Sequence, residues 1–201
     1  MEKFSAITSK AVPLRIKDVD TDMIFPATFM TTISRSGHGD KLFYRLREAS
    51  PDFPFNQPRY QGARILAADH NFGCGSSREH AVWALTDWGI RAVIAKSFAD
   101  IFFSNAGKNG LLLVTLPEAV VDEILSRAER EEYRLTVDLE SQTVRMPDGA
   151  KHAFSYDAFR KHCLLSGLDD VDYIRSHQGE IDAFRSSAAK NFFFSTLQPN
   201  R

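Results

Sequence analysis

The sequence predicts an α/β fold, with a mainly parallel core sheet flanked by helices and extra strands and helices toward the C-terminus. Two observations predict it. Between residues 65 and 130 short apolar runs alternate with longer segments of helical periodicity. Each helical segment is followed by glycine or polar punctuation before the next apolar run. Strands alternating with helices in this way indicate βαβ units and parallel pairing.

In chain order, residues 4–16 carry apolar and β-branched residues and read as an early strand. Asp18–Asp22 reads as a polar turn, closed by Met23–Pro26. Residues 31–62 are rich in Gly, Pro, Arg and aromatics with weak periodicity. They read as a long ordered loop with one helical turn near Lys41–Glu48; such loops often carry function. Ile65–Ala68 is a buried strand. Ser77–Trp88 is a helix ended by Gly89. Ala92–Ala95 is a second strand of the alternation, Phe98–Ala106 a short helix and Leu111–Leu116 a third strand. Pro117–Arg130 is a helix with proline at its start and Val120, Val121, Ile124, Leu125 and Ala128 on one face. Tyr133–Leu139 and Gln142–Met146 are strands around a turn, with a further strand near His152–Ser155. Tyr156–Leu165 is a helix stopped by Gly167, and Asp170–Arg185 a last helix. Residues 1–185 read as one domain. Residues 186–201 form a tail, polar apart from Phe192-Phe193-Phe194.

Composition narrows the function classes. With 201 residues, 43% hydrophobic and 25% charged, the chain is an ordinary globular one. A net charge of −1 gives no general attraction to nucleic acid or an anionic membrane. No segment reaches the roughly 18 apolar residues of a membrane span, and Met1-Glu2-Lys3-Phe4 lacks a secretion signal, so a cytoplasmic location is expected. The two cysteines, Cys74 and Cys163, form neither a disulfide framework nor a cysteine-rich metal site. No His-x-x-x-His pair occurs among the six histidines. A metal site built wholly from this chain is not expected.

The chemistry concentrates in Asn71-Phe72-Gly73-Cys74-Gly75-Ser76-Ser77-Arg78-Glu79-His80, between a strand and a helix. The glycines admit backbone conformations closed to other residues. The serines can cap the helix, whose first free N–H groups and dipole favour an anion there. Arg78 adds a permanently charged fork suited to a carboxylate. A capped tight turn is the plain reading; an oxyanion or carboxylate cradle with Ser76 as reactive hydroxyl is the functional one. Cys74 reads as a small packed residue, with a thiol nucleophile using His80 as the alternative. Glu79 and His80 fall in the first helical turn, Glu79 favoured by the dipole and His80 as a structural hydrogen-bonder. Asp18, Asp20 and Asp22 suggest a calcium loop, but Met23 and Phe29 stand where that loop requires glycine and glutamate. Ser97-Phe98-Ala99-Asp100-Ile101-Phe102 reads as a capped helix start with Phe98, Ile101 and Phe102 packed beneath a strand. Lys108-Asn109-Gly110 reads as a turn or as a second cation facing an anionic ligand.

Val19-Asp20-Thr21-Asp22, the 71–81 segment, Ser97–Phe102, Lys108–Leu112, Leu135–Glu140 and Phe159–Asp169 together resemble the small subunits of 3-isopropylmalate dehydratases, swivel domains of the aconitase superfamily. The resemblance covers residues 4–185 and implies a swivelling β/β/α domain. It implies the small subunit of a heteromeric hydro-lyase, inactive alone, that interconverts 2- and 3-isopropylmalate by dehydration and rehydration in leucine biosynthesis. The implied partner is a large subunit holding a [4Fe–4S] cluster, and the implied substrate a small dicarboxylate. By the same resemblance Ser76 takes the proton from carbon as an alkoxide and Asp22 is a catalytic acidic residue. Arg78, Ser77 and Gly75 bind substrate, and no metal ligand comes from this chain. Met30-Thr31-Thr32-Ile33 stands where the family usually has a basic stretch. His38, Val82 and Ala106-Gly107 also depart from the pattern. These departures leave two alternatives: a paralogue acting on another 2-alkylmalate, such as methylmalate or dimethylmalate, or a non-catalytic partner-binding protein on the same scaffold.

Overall fold

The computed structural model describes residues 1–31 and 34–188. The chain forms β1 (Ala6–Leu14), α1 (Thr21–Ile24), α2 (Tyr44–Ala49), β2 (Ile65–Ala68), α3 (Glu79–Trp88), β3 (Ala92–Ala95), α4 (Asp100–Lys108), β4 (Leu112–Thr115) and α5 (Glu118–Arg130). Then follow β5 (Arg134–Asp138), β6 (Thr143–Arg145), β7 (Lys151–Ala153), α6 (Ala158–Ser166), α7 (Asp170–Ser176) and α8 (Gln178–Ala188). The strands form a seven-stranded sheet in the order β4-β3-β2-β1-β5-β6-β7. The half from β4 to β1 is parallel, with Ala11 opposite Ile65, Ile65 opposite Ala92 and Ala92 opposite Leu112. The half from β1 to β7 is antiparallel and forms the C-terminal extension.

The direction of winding places the layers. From β1 to β4 each parallel strand is added on the same side of its predecessor. Crossovers between parallel strands are right-handed, so all three must lie on one face. That face is covered by α3, α4 and the 39–63 segment, through Val82, Leu85, Phe102, Phe43, Phe55 and Tyr60, packed on Val12, Leu66 and Val93. The opposite face carries α5, whose Val121, Ile124, Leu125 and Ala128 pack on Ala11, Ile65, Ile94 and Val114. Residues of β2, β3 and most of β4 are buried on both sides, which is why they read as continuous apolar runs.

Several elements differ from expectation for local reasons. The Ser77–Trp88 helix begins only at Glu79, because Arg78 N–H donates to Ser76 O (2.9 Å) in a turn that holds the serines outside it. Its N-cap is Arg78, without a side-chain cap bond, so neither serine caps α3. The Phe98–Ala106 helix runs instead over Asp100–Lys108. Ser97 Oγ does not cap it but accepts from Asn71 N–H (2.8 Å), tying together the segments that follow β2 and β3. Ile101 is 51% exposed rather than packed, unlike its buried neighbour Phe102. The Asp18–Asp22 turn contains a helical turn, α1, capped by Asp20 Oδ1 accepting from Met23 N–H (2.7 Å). Among the described residues, the 31–62 region holds α2 and three 3-10 turns instead of a single helical turn. The last helix breaks at His177, whose ring packs on Tyr173 and whose N–H caps α7 by donating to Ile174 O. Phe192–Phe194 lie outside the described residues.

At the C-terminal ends of β2 and β3, Asp69 (8% exposed) and Lys96 (7%) form a buried ion pair of 3.0 Å, and Lys96 also reaches Asp122 at 2.7 Å. Burial raises the Asp69 carboxyl, but hydrogen bonds from Lys96 and His70 N–H outweigh it and hold the group below the usual carboxylate range. Breaking a buried pair leaves a charge with less compensation. Asp69→Asn is expected to cost about 3 kcal/mol in urea unfolding at pH 7. A depressed carboxyl contributes its stability above the unfolded-state value and loses it as pH falls through the folded value. The gap between wild type and Asp69→Asn should therefore narrow below about pH 4.

Candidate active site

The segments following β1 and β2 continue side by side beyond the sheet. Gly73 N–H donates to Val19 O (2.7 Å) and Thr21 N–H to Cys74 O (2.8 Å), forming a parallel bridge between Asp20 and Cys74. A second bridge joins Phe72 to Phe98, next to β3. The loop between them turns through Gly73 (φ +81°) and Gly75 (φ +93°). At Gly73 the positive φ is joined by a steric demand: a Cβ there would lie 2.2 Å from the Phe102 ring.

This pairing brings Ser76, Arg78, Thr21 and Asp22 together. Thr21 Oγ1 donates to Ser76 O (3.0 Å) and lies 3.4 Å from Ser76 Oγ. Arg78 Nη1 donates to Asp22 Oδ1 (2.6 Å). Asp22 Oδ1 also accepts from Ala27 N–H (2.9 Å), and Asp22 Oδ2 accepts from Arg45 Nη1 (2.6 Å). The Ala27 N–H and the Arg78 and Arg45 guanidiniums together hold the Asp22 carboxyl below its ordinary range. Asp22 is thus an anion that fixes Arg78, not a proton donor near neutral pH. Gly75, Ser76 and Ser77 are exposed, so the hydroxyls stand open to an approaching molecule. Among the described residues, the amides of Ser76 and Ser77 donate to no protein group.

Cys74 lies apart from this chemistry. Its thiol donates to Asp18 O (3.4 Å), and burial together with Asp20 and Asp18 pushes it up, away from the thiolate. The His80 ring sits in an aromatic cluster, 5.8 Å from Phe25, 5.3 Å from His38 and 4.6 Å from Trp83. His38 is buried and directs Nε2 at Ser34 O (2.7 Å), while its N–H donates to Asp87 Oδ2 (2.8 Å) and pins the 39–63 segment to α3. Lys108, at the C-terminal end of α4, lies 3.9 Å from Asp170 and shares a cleft with Glu79 at the start of α3. Among the described residues, no group of three His, Cys, Asp or Glu side chains could hold a metal ion. A cavity of about 310 Å³ opens between Phe55, Tyr60 and Trp88. It lies at the C-terminal end of α3, and ten helical residues put it about 15 Å from the loop at the other end.

Two residues of the site escape sequence reading. Thr21 belongs to a quoted motif, but its contact with Ser76 depends on the pairing of two loops 55 residues apart. Arg45 reaches Asp22 from a segment without clear periodicity, where nothing separates it from its neighbouring arginine, Arg47.

The family model for the aconitase C-terminal domain matches residues 1–119, and a second model, LeuD_N, matches residues 122–158. The 3-isopropylmalate dehydratase small subunit of Francisella philomiragia is 51% identical over 187 residues, covering 93% of this chain and 98% of that one. The chain belongs to the family of 3-isopropylmalate dehydratase small subunits. The small subunit of Dinoroseobacter shibae is 50% identical over 195 residues, covering 94% of this chain and 97% of that one. The crystal structure of a 3-isopropylmalate dehydratase from Methanocaldococcus jannaschii matches with a TM-score of 0.69 and 28% identity, covering 90% of this chain and 99% of that one. The fold is the aconitase-type swivel domain of this small-subunit family. Among the described residues, no helix is long and apolar enough to cross a membrane.

The Gly73 geometry gives a direct test. Gly73→Ala combines a left-handed conformation with overpacking against Phe102. It is expected to lower stability by about 2–4 kcal/mol in thermal or urea unfolding.

Proposed function

We propose that this chain is the small subunit of a two-subunit hydro-lyase that interconverts 2-isopropylmalate and 3-isopropylmalate, as the names of its relatives indicate. One observation carries the assignment of its site: an exposed serine held beside Thr21, next to an arginine fixed by Asp22, on one loop. Ser76 removes the proton from the carbon adjacent to the one that loses its hydroxyl during dehydration, and during rehydration to the other isomer a proton is delivered to the former hydroxyl-bearing carbon while water adds to its neighbour. The Ser76 and Ser77 amides, the α3 N-terminus and Arg78 stabilise negative charge on the hydroxyl and on the substrate. Arg78 binds a substrate carboxylate, with Ser77 and Gly75 lining the approach; Gly75 leaves room beside Asp20 and Thr21. Asp22 acts on Arg78 by holding its guanidinium in place.

A self-contained cluster needs three or four cysteine ligands, and this chain has two, on separate elements, the 71–78 loop and α6. The [4Fe–4S] cluster belongs to the large subunit, where an iron would act as a Lewis acid on the departing hydroxyl. Residues 1–185 act as one unit that closes over that subunit in the cytoplasm, with neither nucleic acid nor membrane as a partner.

The test is anaerobic reconstitution with the cognate large subunit and 2-isopropylmalate. Turnover is expected only in the mixture. Ser76→Ala should lower kcat on the order of a thousandfold, while Cys74→Ser should stay within about threefold of wild type. Asp22→Asn should lower kcat/KM about tenfold by loosening Arg78. Full turnover by Ser76→Ala overturns the assigned base, and turnover of a different 2-alkylmalate alone overturns the substrate.

A further inference from the structure

The two oxygens of Asp22 are shared between two guanidiniums, Arg78 on Oδ1 and Arg45 on Oδ2, each at 2.6 Å and each through Nη1. Among the described residues, the other donors of both forks have no protein partner. Arg45 is 60% exposed. An ion pair this open adds little to stability, so stability does not account for how firmly the fold places it. Phe43, just before α2, is fully buried in the left-handed region (φ +49°), a conformation that disfavours a bulky residue. It is held there by its N–H donating to Ile24 O (2.8 Å) and by packing against Phe53 and Phe55. Tyr44 then packs edge-on against Phe29, with ring centroids 5.0 Å apart. These contacts aim the first turn of α2 across α1, and Arg45 arrives at Asp22.

The result is a local excess of positive charge at Asp22, two guanidiniums on one carboxylate, while the nearby Asp20 carboxylate accepts from Met23 N–H. In water that excess is well solvated. Once a second protein covers the exposed loop, the unbalanced cation loses its water, and an anion must replace it. We propose that Arg45 is a second carboxylate-binding side chain of the active site. Arg78 takes one carboxylate of the substrate and Arg45 the other, with Asp22 as the spacer that holds the two forks side by side. The ligand class is a dicarboxylate with its carboxylates on adjacent carbons. This rests on the dicarboxylate reading of the site given above.

The experiment uses the reconstituted two-subunit complex and the variants Arg45→Ala and Arg45→Lys, with folding checked by circular dichroism and association by analytical ultracentrifugation. Two readouts are taken: steady-state kinetics with 2-isopropylmalate, and calorimetric binding of succinate against succinamate, which lacks one carboxylate. Arg45→Ala should raise KM about tenfold with kcat changed less than threefold, Arg45→Lys should recover part of the loss, and the preference for succinate over succinamate should fall about tenfold. An unchanged KM and an unchanged preference overturn the role of Arg45 and leave the isopropylmalate reading standing. An Arg45-dependent preference in a wild-type complex that does not turn over isopropylmalate supports Arg45 and overturns that reading. Loss of subunit association in Arg45→Ala, with succinate preference unchanged once the complex is driven together at high concentration, makes Arg45 a partner contact and overturns the proposal.

Discussion

Two main-chain hydrogen bonds, Gly73 N–H to Val19 O and Thr21 N–H to Cys74 O, organise everything that is chemically distinctive here. They prolong the parallel pairing of β1 and β2 past the point where the regular sheet stops. Without them the Thr21-Asp22 turn and the Gly-Ser-Ser-Arg loop would be two separate surface segments. With them, a hydroxyl, a guanidinium and a carboxylate from positions more than fifty residues apart share one patch. The bonds themselves depend on Gly73, since a side chain there would displace Phe102 and with it α4.

The electrostatics follow from this docking. Asp22 faces two arginines and a backbone N–H, so it stays ionised and its work is geometric. Burial, with Asp20 and Asp18 behind it, pushes the Cys74 thiol up, so its sulfur stays protonated. Two residues of one loop thus meet different surroundings: the arginine at 78 is paired with an anion and held still, while the thiol at 74 is kept from reacting. The buried Lys96 stands between Asp69 and Asp122 at the ends of β2 and β3, directly behind the segments that carry the loop.

The strands and the loop were legible because their causes are local. Ile65–Ala68 and Ala92–Ala95 are buried on both faces and announce themselves as unbroken apolar runs. Gly89 ends α3 in the left-handed conformation its position suggested. The starts of α3 and α4 were not legible, because Ser76, Ser77 and Ser97 look like caps in sequence but are used otherwise. Ser97 binds the amide of Asn71, and the serines of the loop are held outside the helix by a turn. Residues 39–63 were legible only as a loop with one helical turn, found as α2, since the rest of the segment is ordered by aromatic packing on α3 and β1 rather than by periodicity. Arg45 had no signal of its own: its partner Asp22 lies 23 residues away, and only the left-handed Phe43 turns it there.

The bridge between Asp20 and Cys74 has a consequence for assembly. The loop is already threaded into main-chain pairing on both sides, at Val19–Thr21 and at Ser97–Ala99, within this chain alone. Its conformational freedom is given up when the polypeptide folds. A second protein therefore meets a finished surface and need not immobilise a floppy segment, so the entropic penalty of docking falls mainly on rigid-body motion.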